Sequence, residues 1–329
     1  MTKSLSLAVI GCGVIGSRHA QALGLLDRSA TIYLVDPSDD ARAQAVRYCR
    51  EGMQPDQTKK LIDLYEIDAL PEEIDIAIVA TGAAERSAIL MSLLQSRRVA
   101  HFILEKFLFQ RESDYSAVAG RLDAVQARAW VNCPRRLWPG YQSLRGMMDA
   151  QNSSVTLSCA AHPKVGMGTS AIHLLDTLAY LSGRSDFELK GDRLSDELLP
   201  NKRGGVELAG QLYGFSPRDD FFRFSVHDKG SLPLVITVET AVCRAIIDEA
   251  SKMMRISRMR DDWRWIEIPF GTLLQSEMTH RVVAQLVDTG ACGLPSLEES
   301  SRLHLAILRP LLAHYRRVAD SNATACPIT

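Results

Sequence analysis

Apolar positions in the first 132 residues fall into two textures. Short uninterrupted runs occur at 6–10, 31–35, 76–80, 99–104 and 129–132. The stretches between them, 17–26, 39–52, 85–95 and 113–126, carry apolar residues at helical spacing, with Ala20, Leu23 and Leu26 marking one face of the first. Continuous apolar runs suit strands buried on both faces of a parallel sheet. Their strict alternation with helices predicts a doubly wound α/β sheet.

The pattern changes after Asn132. Helices are expected at 139–150 and 170–181, the latter strongly apolar and stopped by Gly183, with a strand at 155–160 between them. Six strand-like runs then follow with little helix: 206–215, 220–228, 233–241, 243–248, 253–258 and 263–268. Tandem strands without crossovers indicate an antiparallel sheet. Helices at 272–289 and 296–319 close the pattern, the second opened by Pro295-Ser296 with Glu298 and Glu299 in its first turn. Residues from Asp320 onward read as frayed. Two domains are therefore expected, 1–132 and an α+β unit over 133–329.

Composition narrows the function classes. A formal net charge of −1 over 329 residues gives no electrostatic case for nucleic acid or an anionic membrane. No apolar stretch approaches the ~20 residues of a membrane span, and no leader-like segment opens the chain, so a cytoplasmic setting is expected. The seven cysteines are scattered without CxxC spacing, a pattern of reduced thiols rather than a zinc site; no metal is expected. Cys12 reads as a small filler inside a turn.

The chemistry begins at Gly11-Cys12-Gly13-Val14-Ile15-Gly16, between the first run and the first helix. Gly11 permits the tight turn, Gly13 lets backbone amides approach a pyrophosphate, and Gly16 lets helix pack on strand. The amides of Val14 and Ile15 open that helix, whose N-terminus offers free N–H groups and a positive dipole end to phosphates. Asp36 ends the second run 25 positions after Gly11, near the ~20-residue offset of an acid that binds a ribose 2′-hydroxyl. Its carboxylate would repel the extra phosphate of NADP, so NAD is favoured. Ala80, Thr81, Glu105, Lys106 and Asn132 end later runs. Ligands bind beyond the carboxyl ends of such strands, and the convergence marks these residues for the site.

In this layout the chain resembles the Gfo/Idh/MocA oxidoreductases, the family of glucose-fructose oxidoreductase and inositol dehydrogenase. The resemblance rests on Gly11 to Gly16, Ala80-Thr81, Glu105-Lys106 and His173-Leu174-Leu175-Asp176. It implies a Rossmann domain, then a domain with a large open, mainly antiparallel sheet that often mediates homodimers or homotetramers. The activity implied is hydride transfer between NAD(P) and a sugar or cyclitol carbon. Glu105-Lys106 looks like the family's Glu-Lys-Pro motif, whose lysine orients the substrate hydroxyl and the nicotinamide; Phe107 takes the place of the proline. His173 and Asp176 look like the histidine and acid of the family's helix motif, and their i, i+3 spacing puts both on one helix face.

Read from chemistry alone, Lys106 either polarises a carbonyl at a strand end or is a surface lysine paired with Glu105. His173 either exchanges a hydroxyl proton or is a satisfied histidine on an apolar helix. Thr169 stands where many family members place an aspartate, four residues before the histidine. A threonine can hydrogen-bond a sugar but cannot relay a proton. Either His173 and Lys106 handle that proton, or the protein is a weak or divergent catalyst. Residues 132–141 are rich in polar and aromatic groups. Arg135 and Arg136 are expected either to anchor an anionic group on the substrate or, at an interdomain hinge, to bind backbone or acids of the partner domain. Trp138 and Tyr141 would stack on a sugar ring or base, with Asn132 and Thr169 as further substrate contacts.

The leading expectation is an NAD-dependent oxidoreductase acting on a secondary hydroxyl or keto carbon of a sugar, free, acidic or nucleotide-linked. Two others stand beside it: a catalytically silent NAD-binding sensor or assembly protein, and an enzyme for an imine or linear keto acid.

Overall fold

A computed structural model describes residues 4–53, 58–150, 153–201 and 204–328. By backbone proximity the chain forms two compact units. One comprises Met1–Phe109, Ser113–Pro134 and Leu273–Leu297; the other comprises Gln110–Glu112, Arg135–Thr272 and Glu298–Thr329.

The first unit alternates as its apolar pattern predicts: β1 (Leu5–Ile10), α1 (Val14–Gly24), β2 (Ala30–Val35), α2 (Asp39–Gly52), β3 (Lys59–Leu64), β4 (Glu73–Val79), α3 (Ala83–Ser96), β5 (Arg98–Leu104), α4 (Glu112–Ala124) and β6 (Arg128–Val131). The strands form one parallel sheet in the order β3-β2-β1-β4-β5-β6. Residues 7–10 of β1 and 76–79 of β4 are almost wholly buried, because both faces of a central parallel strand are covered by helices. The strand order reverses between β1 and β4, which opens a crevice at their carboxyl ends.

In the second unit α5 (Pro139–Met147), β7 (Thr156–Ala161), α6 (Met167–Ser182), β8 (Glu188–Pro200), β9 (Val206–Phe215), β10 (Phe221–Val226), β11 (Val235–Glu239), β12 (Cys243–Asp248), β13 (Met253–Arg258) and β14 (Trp265–Pro269) follow in turn. Their strands make an eight-stranded sheet ordered β14-β13-β12-β11-β7-β10-β9-β8. All neighbours are antiparallel except β7 with β10. Buried residues alternate with exposed ones along β10 and β12, the signature of a sheet covered on one face. On the covered face lies α6, against β7, β9 and β10. The remaining helices are α7 (Thr279–Thr289) and α8 (Leu297–Val318). No helix among the described residues is long and apolar enough to cross a membrane.

Several expectations require correction. The edge strands β3 and β8 were not anticipated; β3 runs Lys-Lys-Leu-Ile-Asp-Leu with no fully buried position, and β8 is broken by bulges. The helix expected from 272 begins only at Thr279, after a 3-10 turn over Gln275–Glu277. With its neighbours, from Leu273 to Leu297, it groups with the first unit rather than the second. Residues 321–328, expected to fray, are packed instead. Cys326 and Ile328 are fully buried, Val206 N–H donates to Pro327 O at 2.8 Å, and Cys326 N–H donates to Gln110 O at 3.0 Å. The Ile328 side chain fills the space left by Gly168, where a Cβ would lie 2.7 Å away.

An ordered tail has a measurable stability. Ile328→Ala should destabilise the protein by about 2–4 kcal/mol in denaturant unfolding, as expected for an aliphatic side chain truncated in a core. An unchanged midpoint would mean that the tail contributes nothing to the core.

Candidate functional site

The ladder hydrogen bonds of the parallel sheet continue one residue past the strands, which sets the site residues side by side. Gly11 N–H donates to Val35 O (2.8 Å), Ala80 N–H to Ile10 O (2.7 Å), Glu105 N–H to Val79 O (3.0 Å) and Asn132 N–H to Leu104 O (2.7 Å). Gly11, Asp36, Ala80, Thr81, Glu105, Lys106 and Asn132 therefore share one sheet edge.

The glycine turn divides its work by geometry. Gly11 has φ +87°, and a Cβ there would meet Thr81 N at 2.9 Å. A Cβ on Gly16 would lie 1.8 Å from Gly11 O, so α1 reaches the turn only because Gly16 has none. Gly13 differs: a Cβ would meet nothing within 4 Å. It caps α1 without a side-chain bond, no acid occupies the first turn, Val14 is exposed and Ile15 is half-buried. Space over the turn and uncapped amides at a helix start suit a pyrophosphate. Beside them the Thr81 hydroxyl oxygen is buried with no hydrogen-bond partner, a polar atom awaiting a ligand.

Asp36 is held rigidly at the end of β2. One carboxylate oxygen accepts from Cys12 N–H at 2.7 Å and the other from Ser38 N–H at 2.9 Å, leaving acceptor capacity for a ribose diol. These features fit a nicotinamide dinucleotide. Burial, reinforced by Asp36, pushes the Cys12 thiol up to about 12, so Cys12 remains a protonated filler.

Behind the turn lies a closed ring of hydrogen bonds. His19 Nε2 lies 3.0 Å from Glu105 Oε1, and Asn132 Nδ2 donates to that same oxygen. The amide also donates to Gln275 Oε1 at 2.8 Å, Gln275 Nε2 donates to Thr279 Oγ1 at 2.9 Å, and Thr279 Oγ1 lies 2.8 Å from His19 Nδ1. The directions close when Nε2 carries the ring proton and the Thr279 hydroxyl donates to Nδ1. Burial alone would raise Glu105; the His19 hydrogen bond, Lys106 and Asn132 outweigh it and hold the carboxyl below its usual range.

Lys106 follows Glu105 and is half-buried, and the Lys106–Phe107 peptide is cis. The backbone on either side of the crevice is clamped by buried Arg86 of α3. Its guanidinium donates to the carbonyls of Thr81, Phe107 and Leu108, the last at 2.9 Å.

In the second unit the expected substrate anchors are engaged internally. Arg135 forks onto Glu249 at 2.7 and 2.6 Å. Arg136 forks onto Asp176 at 2.8 and 2.7 Å and also reaches Glu299 at 2.8 Å. The arginines bind acids of their own unit, not backbone or acids of the other one as the hinge alternative had it. Tyr141 is fully buried, donates to Glu249 at 2.6 Å and packs edge-on against Phe270, so it offers no face to a sugar. Trp138 stacks on it at 6.2 Å and is half-buried. Asp176 is fully buried, and burial pushes it up, to about 6, against the pull of Arg136; it faces the arginine rather than solvent. Asn132 is likewise buried, with both amide hydrogens spent in the ring.

His173 and Thr169 are half-buried on α6. Thr169 donates its hydroxyl and its N–H to Glu207 of β9, whose other oxygen accepts from Gly168 N–H at 2.7 Å. A carboxylate thus stands at the start of α6, although residue 169 is not one. Gly166 and Gly168 make room for it, since a Cβ on Gly166 would lie 2.5 Å from its carboxyl carbon.

Comparison with known proteins places this arrangement. Residues 5–133 match the GFO_IDH_MocA model, described as oxidoreductase family, NAD-binding Rossmann fold. The chain carries the NAD-binding domain of the Gfo/Idh/MocA oxidoreductases. Among curated proteins none matches the sequence. Solved structures share the fold over almost the whole length. UDP-N-acetylglucosamine 3-dehydrogenase GnnA from Acidithiobacillus ferrooxidans superposes with TM-score 0.73 at 15% identity, covering 97% of this chain and 99% of that one. An oxidoreductase from Agrobacterium radiobacter, in complex with NAD+, L-tartaric acid and magnesium, gives 0.72 at 13% identity over 97% and 98%. A super-repressor mutant of Gal80p from Saccharomyces cerevisiae gives 0.69 at 12% identity over 95% and 96%. At these identities the likeness is one of fold.

Within the first unit, sequence reasoning missed His19, Arg86, Gln275 and Thr279. Only His19 left a trace: it lies three residues after Gly16 and four before Leu23, on the stripe that α1 buries. Arg86 sits on a helix that reads as ordinary, and Gln275 and Thr279 come from more than 250 residues away.

The ring makes a quantitative expectation. His19→Leu should cost on the order of 2–3 kcal/mol in denaturant unfolding, because it removes a donor to a buried carboxylate. Thr279→Val should cost less, and the double variant should cost clearly less than the sum. Additive losses would show that the two residues act separately.

Proposed function

We propose that the protein is an NAD-dependent oxidoreductase that moves a hydride between nicotinamide and a secondary hydroxyl or keto carbon of a sugar-type small molecule. The observation that carries this reading is the sheet edge where an open Gly13, the orphaned Thr81 hydroxyl and the doubly held Asp36 carboxylate lie beside Lys106. Asp36 favours NAD over NADP by repelling a 2′-phosphate. When bound, nicotinamide supplies or accepts the hydride at C4.

The chain's own groups have separate tasks. The α1 amides and Gly13 bind the pyrophosphate, and Thr81 bonds the cofactor. Lys106, on a backbone fixed by the Glu105 ring and by Arg86, polarises the reacting oxygen. His173 is the proposed acid–base group, and Thr169 is a proposed hydrogen-bonding contact to substrate. The engaged forks of Arg135 and Arg136 weigh against an anionic group bound through them. Support for a sugar comes from the fold shared with a UDP-N-acetylglucosamine dehydrogenase. A second reading, an NAD-binding protein without turnover, draws on the fold shared with the Gal80p super-repressor mutant and on Thr169 in place of a carboxylate.

A pair of glycine variants tests the cofactor site. Gly13→Val should fold with a melting temperature close to that of the wild type yet lose NADH binding by fluorescence titration. Gly16→Val should fail to fold stably, since its side chain would overlap Gly11 O. NADH binding that survives Gly13→Val would sink the proposed site.

Turnover separates the two readings. With NAD+ and a panel of free, acidic and nucleotide-linked sugars, the enzyme reading expects NADH formation with at least one. Lys106→Ala should then lower kcat by about 10²–10⁴-fold while NADH affinity changes little. Binding without turnover across the panel would favour the silent protein.

A further inference from the structure

We infer that Arg42 is a phosphate-binding side chain held out of use by Asp39, so that cofactor choice rests on an Arg42–Asp39 pair as well as on Asp36. The inference rests on the dinucleotide reading and names a specificity determinant within it.

Arg42 lies in the first turns of α2, next to the end of β2. Its guanidinium donates through one terminal nitrogen to the backbone carbonyl of Asp36, the residue that would meet the adenosine ribose. The other terminal nitrogen donates to the Asp39 carboxylate. Its Nε is 3.7 Å from Asp63 Oδ2, and its plane faces the Tyr65 ring at 5.9 Å. The side chain is only 12% exposed, whereas that of Asp39 is 90% exposed. The cation is therefore the fixed member of the pair and the acid the movable one.

The charges decide what this corner accepts. The guanidinium meets the carboxylates of Asp39 and Asp63 and the backbone carbonyl of Asp36, and with the Asp36 carboxylate at the end of β2 the acids of this corner outnumber the one cation. A ribose diol can donate to Asp36 there; a 2′-phosphate, a dianion with only acceptor oxygens, meets repulsion and a fork already in use. Yet an arginine fork beside the end of β2 is the group that recognises a 2′-phosphate in dinucleotide sites. Removing the Asp36 carboxylate alone leaves Asp39 on the fork. Removing both acids leaves a nearly buried guanidinium still anchored on the Asp36 backbone carbonyl, with its other terminal nitrogen released. An ordinary i, i+3 surface pair would have no such consequence, because its acid would not compete with a ligand.

The test is fluorescence titration of NADH and NADPH against the wild type, Asp36→Ser, Asp39→Asn, the double variant and the double variant with Arg42→Leu, each checked for folding by its thermal melt. The readout is the ratio of the two affinities. The wild type should prefer NADH. The double variant should shift the ratio toward NADPH by about ten- to hundredfold more than Asp36→Ser alone, the worth of a freed charge-assisted hydrogen bond. Arg42→Leu should abolish that extra shift. A double variant no better than Asp36→Ser, or a shift that survives Arg42→Leu, overturns the inference while leaving the NAD site standing. A folded wild type that binds neither nucleotide overturns both.

Discussion

A buried carboxylate at the end of β5 governs much of the first unit. Glu105 is 5% exposed and keeps its charge only because neighbours donate to it. Leaving such a charge unpaired costs several kcal/mol, a large share of the stability of any domain. Its donors come from α1 and from the end of β6, and the ring they begin runs on through Gln275 and Thr279. One electrostatic requirement thus ties together four segments of chain, one of which, 273–297, rejoins this unit after an excursion of 138 residues through the other. Because Glu105 immediately precedes Lys106, the same requirement fixes the backbone from which the lysine projects. Arg86 fixes the other side. The lysine's position is thereby determined by groups that never touch a substrate.

Sterics do for the cofactor turn what charge does for the ring. The three glycines of Gly11 to Gly16 are not equivalent. Gly11 and Gly16 are required by the protein itself, since side chains there would overlap Thr81 and Gly11 O. Gly13 faces open space, so nothing in the chain forbids a side chain. A residue unconstrained by packing is constrained by something else. That asymmetry is a stronger argument for a ligand than the spacing of the glycines, which would be the same in a turn that bound nothing.

The parts of the structure legible in the sequence share a property: their determinants are local. The central strands could be read because burial on both faces leaves unbroken apolar runs. The turn, α1 and Asp36 could be read because they lie within one βαβ unit. Strands β3 and β8 lie at the edges of their sheets and carry charged residues, so no period marked them. The fates of Arg135 and Arg136 were illegible for a different reason. Two adjacent arginines beside aromatic residues look the same whether their acceptors are a ligand or the protein. The answer depended on Glu249, 114 residues away, and Asp176, 40 away. Glu207 is a similar case, 38 residues from the Thr169 it serves. Sequence pattern reports the presence of a donor; only the fold reports which acceptor wins.

The engaged arginines bear on recognition in the second unit. A bidentate guanidinium–carboxylate pair at this depth is not a reserve that a substrate can draw on. Diverting Arg136 from Asp176 would leave a fully buried acid without its principal partner, and diverting Arg135 would strip two bonds from Glu249, which would keep the bond from the Tyr141 hydroxyl. Each loss would approach 3–5 kcal/mol. A substrate anion would have to exceed that before it gained any affinity. The forks therefore belong to the scaffold, where they join the 3-10 turn Pro134–Leu137 to α6, to α8 and to Glu249 after β12. His173 and Thr169 are half-buried on α6, whereas Asp176 on the same helix is fully buried. The threonine is an unusual one. Its hydroxyl hydrogen is given to Glu207, so the carboxylate that the sequence lacks at 169 is supplied from β9 and held by the threonine.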